Sequence, residues 1–259
     1  MVDYCDFGII WNLGFGHWDF LRRTSMSSRI IFIHGSGSTS LSWYYQTSHF
    51  EGSEAVSLPG HPEGKPCASV ADYTDWLREY IYERSYKDVV LAGHSLGGAI
   101  AIDYGLRYAE DLVALILTGT GARLRVHPDY LARCREGAKD MEAWMKNWEP
   151  TYALVLPELR GKLLEERRRV GPEVQLNDLI CCDKFDVMAE ITRIKLPTLV
   201  LCGSEDQMTP VKYSQFLVSR IEGARQVVIE GGTHLVPAEK PAEVNRAIEE
   251  FLGSLPDKA

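Results

Sequence analysis

Along the chain, short runs of β-branched and aliphatic residues alternate with longer stretches in which apolar side chains recur every three or four positions. Runs of the first kind, at 29–34, 55–58, 88–92, 112–117, 198–202 and 226–229, have the length and near-continuous apolar character of strands buried on both faces. Stretches of the second kind, at 70–82, 96–108, 210–221 and 241–252, predict helices, and two of them open on proline, which suits a first helical turn. Together they predict an α/β fold, a mostly parallel central sheet flanked by helices.

Residues 123–187 interrupt the rhythm, with helical patterns and no convincing strand, and read as a helical insertion between two parts of one core, 1–122 and 188–259. Within it Leu131, Cys134, Ala138, Met141, Met145 and Trp148 form an apolar stripe along what reads as one helix, with Arg133, Arg135, Glu136, Lys139, Asp140 and Lys146 opposite. Such a stripe serves either to dock the helix on the core or, since Met and Trp make broad adaptable surfaces, to cover a substrate pocket. On the second reading Met141, Trp144, Met145 and Trp148 close the pocket. Arg167, Arg168 and Arg169 follow Glu165 and Glu166 and read as a locally neutralised, solvated helix face. Near the N-terminus, alternation of Cys5, Phe7, Ile9 and Trp11 before Asn12-Leu13-Gly14 predicts a hairpin.

A chain of 259 residues with 45% hydrophobic and 25% charged residues has enough apolar surface for an ordinary core, which excludes disorder, collagen and coiled coil as overall classes. With 28 basic and 36 acidic residues the net charge is −8, so the electrostatic footprint of a nucleic-acid or anionic-membrane binder is missing. A small molecule is the expected partner, bound by a monomer or homodimer. Six cysteines show no paired C-x-x-C spacing, and adjacent Cys181 and Cys182 read as plain thiols. Acidic residues interrupt the first 20 positions, unlike a signal peptide, and no apolar run reaches the ~20 residues that span a bilayer; the cytoplasm is the expected location.

Chemistry concentrates at the ends of the predicted strands. Gly93-His94-Ser95-Leu96-Gly97 lies between a strand and a helix, where a sharp turn exposes a serine hydroxyl and glycines two before and two after relieve backbone crowding. A serine needs a base to take its proton and a carboxylate to orient that base. Asp206, in Gly203-Ser204-Glu205-Asp206, and His234, in Gly231-Gly232-Thr233-His234, each follow a strand, and in an open parallel sheet these ends share one crevice. Glu205 is the rival acid, which spacing does not exclude. His94, beside the nucleophile, is expected to line the site. The backbone N–H of Leu96 is one candidate oxyanion donor, and the N–H of Ser36, in His34-Gly35-Ser36-Gly37 after the first strand, is the second, with Gly35 lining the pocket.

These residues resemble the α/β-hydrolase family in the expected order: oxyanion loop at His34-Gly35, nucleophile elbow at Gly93 to Gly97, acid loop at Gly203 to Asp206, and histidine loop at His234 with Glu239-Lys240-Pro241. The insertion at 123–187 resembles the family's helical cap. Ser57-Leu58-Pro59-Gly60-His61 departs from the family's turn in having serine where aspartate is usual. The resemblance implies a serine carboxylesterase of short to medium acyl chains, working through an acyl-enzyme with no metal or organic cofactor. On the same triad a C–C bond hydrolase or thioesterase is the alternative; a slow-turnover ligand receptor on this fold is another.

Overall fold

A computed structural model of the protein describes residues 29–256. The expected hairpin near the N-terminus lies outside the described residues. Six strands, β1 (Ile30–Ile33), β2 (Glu54–Val56), β3 (Val89–His94), β4 (Leu112–Thr118), β5 (Thr198–Gly203) and β6 (Arg225–Ile229), form one sheet in the order β2-β1-β3-β4-β5-β6. Every pairing is parallel. The strand runs read from the sequence are all present, with ends displaced by up to two residues. β3 extends through Gly93 and His94 because its ladder with β4 continues to the His94–Thr118 pair.

Successive strand residues point to opposite faces, so each face buries its own half of every run. Ile31, Ile33, Leu91, Leu115, Leu117 and Val200 pack on one side. That side is covered by α2 (Val70–Glu83) and α3 (Leu96–Arg107), through Tyr73, Leu77, Ile81 and Ile100. Phe32, Val90, Ala92, Ile116, Leu199 and Leu201 face the other way, toward Trp43 and α9 (Pro241–Leu252), which contributes Val244, Ile248 and Phe251 at spacings of four and three. Each of the Val, Leu, Ile and Phe side chains among them contributes about 1.5–3 kcal/mol on burial. The order of strands reverses between β1 and β3, and the carboxyl ends of that pair open the crevice of a doubly wound sheet.

Between β4 and β5 run α4 (Pro128–Gly137), α5 (Met141–Trp148) and α6 (Pro157–Lys184), while α1 (Tyr44–His49) precedes β2, α7 (Val211–Arg220) follows β5 and α8 (Val236–Glu239) follows β6. The stripe from Leu131 to Trp148 therefore belongs to two helices, not one. Asp140 starts the second, its carboxylate accepting from the Ala143 N–H at 3.0 Å, and Gly137 ends the first against the Trp144 ring. α6 is broken at Gly171, whose φ of 82° is not helical, with Pro172 following. Among the described residues no helix is long and apolar enough to cross a membrane, and Cys67, Cys134, Cys181, Cys182 and Cys202 are all free thiols.

Histidines end two of the central strands. His34, directly after β1, donates from Nδ1 to the Gly35 carbonyl at 2.8 Å and accepts the Leu58 N–H at Nε2. His94, which closes β3, donates from Nε2 to the His234 carbonyl at 2.7 Å. Burial, reinforced by neighbouring His61, holds the His34 ring well below its ordinary range. For His94, burial and then the nearby His234 ring lower the value to about 3. His61 goes the other way: burial opposes its charge, but the Asp178 carboxylate at 2.8 Å from Nε2 outweighs that and raises it.

A histidine held low in the folded chain contributes stability that is complete above its unfolded value of ~6.5 and is lost as pH falls toward the folded value. His34 and His94 therefore destabilise the fold progressively below about pH 6.5, while His61 has the opposite sense. Urea unfolding followed between pH 6.5 and 4.5 tests this. We expect the His94→Gln variant to show a shallower fall in stability than wild type, by up to about one proton in the linkage slope. Equal slopes in the two proteins would refute the role given to His94.

Candidate active site

Ser95 sits where β3 turns into α3, at φ 54° and ψ −114°. A non-glycine residue at positive φ costs on the order of 1–3 kcal/mol, so the surroundings must hold it there. They do so through the Ser95 N–H, which donates to the Thr118 carbonyl at 3.0 Å, and the Thr120 hydroxyl, which donates to the Ser95 carbonyl at 2.9 Å. A Cβ on Gly93 would lie 2.1 Å from the Gly97 carbonyl oxygen, and one on Gly97 would lie 2.2 Å from that of Ile33. Neither position has room for a side chain, which is the physical content of the glycine spacing read from the sequence.

The loop after β5 brings Asp206 to the loop after β6. His234 Nδ1 donates to Asp206 Oδ2 at 2.8 Å, and the same oxygen accepts the Thr209 hydroxyl at 2.8 Å. Oδ1 accepts the Met208 and Thr209 backbone N–H groups at 2.8 and 2.9 Å. Burial alone would push this carboxyl up, but the His234 ring and the Thr209 donors outweigh it and hold it well below the usual carboxylate range. With one carboxylate oxygen fixing Nδ1–H, the ring leaves Nε2 as its proton acceptor. Among the described residues Nε2 has no hydrogen-bond partner; the Ser95 hydroxyl is not bonded to it in this state. Glu205, the rival acid, is exposed, whereas Asp206 is buried. Glu239 steadies the histidine loop by accepting the Thr233 N–H and hydroxyl.

Across the crevice, the loop after β1 packs on the elbow: a Cβ on Gly35 would lie 3.1 Å from Ser95 Cβ and 2.9 Å from His94 Nδ1. The backbone N–H groups of Ser36 and Leu96 donate to no group among the described residues. The adjoining Gly37 N–H is held by Asp178 of α6 at 2.9 Å, and that carboxylate also accepts from His61 Nε2 and, at 3.1 Å, from the Tyr73 hydroxyl. Ser57, in place of the usual aspartate, accepts the Ser40 N–H at 3.1 Å and bonds the Ser40 hydroxyl, tying that turn to the same loop.

A narrow, nearly closed cleft of about 10 Å³ lies beside His94, walled by Trp43, Tyr152, Leu163, Leu235 and Ala238 among others. Here the sequence-based expectation needs correction. Met145 lines a groove on the outer side of the helices with Glu142, Lys146 and Arg168, and Met141 is half-buried at the first turn of α5. Trp144 and Trp148 are buried among the helices, Trp148 stacked on Tyr130 with ring centroids 5.8 Å apart. The stripe turns as α5 restarts after Asp140, so its residues do not share one face. The aromatic and aliphatic wall comes instead from Tyr152 and Leu163, later in the same segment. Asp178, Thr209 and Tyr152 carry no local signal, because their partners lie far away in sequence or depend on a loop shape.

Among the described residues no group of three or more His, Cys, Asp or Glu side chains is placed to hold a metal ion. A hydrolase of Acinetobacter baylyi named for (E)-2-((N-methylformamido)methylene)succinate is 26% identical over 88% of this chain and 91% of its own. A carboxylesterase of Bacillus subtilis is 25% identical over 86% of this chain and 79% of its own. A solved thermophilic esterase superposes with a TM-score of 0.76 at 36% identity, over 87% of this chain and 90% of its own. The sequence model of the alpha/beta hydrolase family matches residues 30–247, and with the sheet order, the elbow and the strand-end loops in place, the chain belongs to that family.

Proposed function

We propose that the protein is a serine hydrolase that cleaves carboxylic esters of short to medium acyl chain through an acyl-enzyme. The observation that carries this reading is the pairing of a strained, elbow-mounted Ser95 with a buried Asp206–His234 hydrogen bond at the same sheet edge. In the reaction the Ser95 oxygen attacks the ester carbonyl as its proton passes to His234 Nε2. Asp206 keeps the ring in the Nδ1–H tautomer and stabilises the cation that forms. The carbonyl electrons move onto oxygen, where the N–H groups of Leu96 and Ser36 receive the charge. His234 then gives the proton to the departing alkoxide, and water, activated by the same ring, cleaves the acyl-enzyme and restores the serine.

The match to an esterase at 36% identity supports an ester as the scissile group. The closely walled cleft supports a modest acyl chain, since Trp43, Tyr152 and Leu163 leave little room beside His94.

Replacing the nucleophile is the first check. Ser95→Ala is expected to lower kcat by roughly 10⁴-fold or more. Its thermal transition should be no lower than that of wild type, since the side chain is small and partly exposed. Wild-type turnover in the purified variant would remove Ser95 from the mechanism.

The acid can be assigned separately. Asp206→Asn should cut kcat by up to about 10⁴-fold with KM little changed, because the carboxylate acts on the transition state, while Glu205→Gln stays within about threefold. The reverse order, measured on one ester at one pH, would move the acid to Glu205. Chain-length preference is read from kcat/KM on 4-nitrophenyl acetate through palmitate. The optimum is expected at the short end of that series, as a closely walled cleft implies, and a higher value on palmitate than on butyrate would reject the closed-pocket reading.

A further inference from the structure

Arg167 is the departure from the sequence reading that bears most on substrate. Its neighbours behave as expected: Arg168 and Arg169 are exposed and pair with Glu142 and Glu166. Arg167 itself is 4% exposed. Its Nε donates to the Tyr152 hydroxyl at 2.7 Å and its Nη1 to Gln175 Oε1 at 2.9 Å. The guanidinium carbon lies 4.4 Å from the centre of the Trp148 ring, 5.5 Å from that of Tyr152 and 5.7 Å from that of Trp144. All of these partners are neutral, and no carboxylate among the described residues lies within ion-pair distance.

A guanidinium is a permanent cation, and burying one against neutral groups alone is unfavourable compared with an apolar side chain of similar volume. Aromatic faces and two neutral acceptors offset part of that cost. They leave the guanidinium without a direct ion pair and its Nη2 without a partner among the described residues. Beside the guanidinium the indole N–H groups of Trp144 and Trp148 are buried without partners, so donors outnumber acceptors around Arg167.

Both polar partners of Arg167 border the candidate active site. Tyr152 lines the cleft with His94 and Trp43. Gln175 packs on the oxyanion loop, where a Cβ on Gly37 would lie 3.1 Å from three of its side-chain carbons. A guanidinium packed behind the Tyr152 wall of the cleft, with no direct ion pair and Nη2 unpartnered among the described residues, has donors left for a carboxylate.

We propose that Arg167 is a specificity-determining residue that receives the free carboxylate of an acidic ester, with the half-esters of short dicarboxylic acids as the substrate class. The proposal rests on the ester-hydrolase reading and adds to it where the substrate's charge is held. The overall charge of −8 does not favour anionic substrates at long range, so the selectivity comes from this one interior cation.

The test compares monomethyl succinate, glutarate and adipate with methyl butanoate, pentanoate and hexanoate on the full chain, following acid release. Wild type should prefer the acidic member of at least one pair by tenfold or more in kcat/KM, and Arg167→Met should lower that acidic-to-neutral ratio at least tenfold. An absent preference in wild type, or a ratio unchanged in Arg167→Met while both rates fall together, would overturn the proposal and leave Arg167 as packing. A second measurement needs neither turnover nor an altered Arg167. Calorimetric titration of the Ser95→Ala variant should show saturable binding of the same three dicarboxylates in at least one case, and none of the corresponding diamides. Equal binding of acid and diamide, or of neither, refutes the anion site. Binding of a dicarboxylate by a protein that hydrolyses none of the esters would instead remove the esterase reading and keep the site.

Discussion

Where Gly97 begins α3, its α-carbon stands so close to β1 that an added methyl group would fall 2.2 Å from the Ile33 carbonyl oxygen. That close approach fixes the geometry of everything at the sheet's carboxyl edge. It seats the N-terminus of α3 in the switch point between β1 and β3, forces Ser95 into its left-handed conformation, and turns the Leu96 N–H toward the same crevice as the loop after β1. Thr118 and Thr120, from the end of β4 and just beyond it, supply the hydrogen bonds that keep the strained turn in place. Function here is an outcome of backbone packing before it is an outcome of side-chain chemistry.

A second layer of control comes from α6. Asp178 joins three elements that are distant in sequence, the loop after β1 at Gly37, the turn at His61 and helix α2 at Tyr73, in one fully buried carboxylate. A carboxylate in that position is stable only because every partner donates to it. The helical segment between β4 and β5 is thereby fastened to the loop after β1, so the shape of the candidate site depends on contacts made far from Ser95.

The α/β architecture is legible in the sequence because parallel strands buried on both faces leave continuous apolar runs, and the helices between them keep a three-to-four period. Ser95, Asp206 and His234 are legible for a related reason: each follows such a run directly, and strand ends converge. The choice between Asp206 and Glu205 is not, since both are acidic and adjacent; burial and the Thr209 donors separate them only once the loop has its shape. Met145 and Arg167 are misread in opposite directions. Periodicity carried across Asp140 ignores the capping residue that starts a new helix. Flanking glutamates suggest a solvated Arg167, yet Leu159, Leu163, Arg167 and Val170 fall at spacings of four, four and three, the signature of a buried face. That stripe was available in the sequence and outweighs the local charge pattern.

The break in α6 gives the fold a mechanical property. Gly171 leaves the helical conformation and Pro172 has no N–H to offer, so the backbone ladder does not run continuously from one half of the helix to the other. Leu163 and Arg167 ride on the first half, while Gln175 and Asp178 belong to the second, which is pinned to Gly37. The two halves meet through the Arg167–Gln175 hydrogen bond, which crosses the break. A change in the residues that wall the cleft therefore reaches the loop after β1 through side-chain contacts such as this one, and not along a continuous backbone ladder.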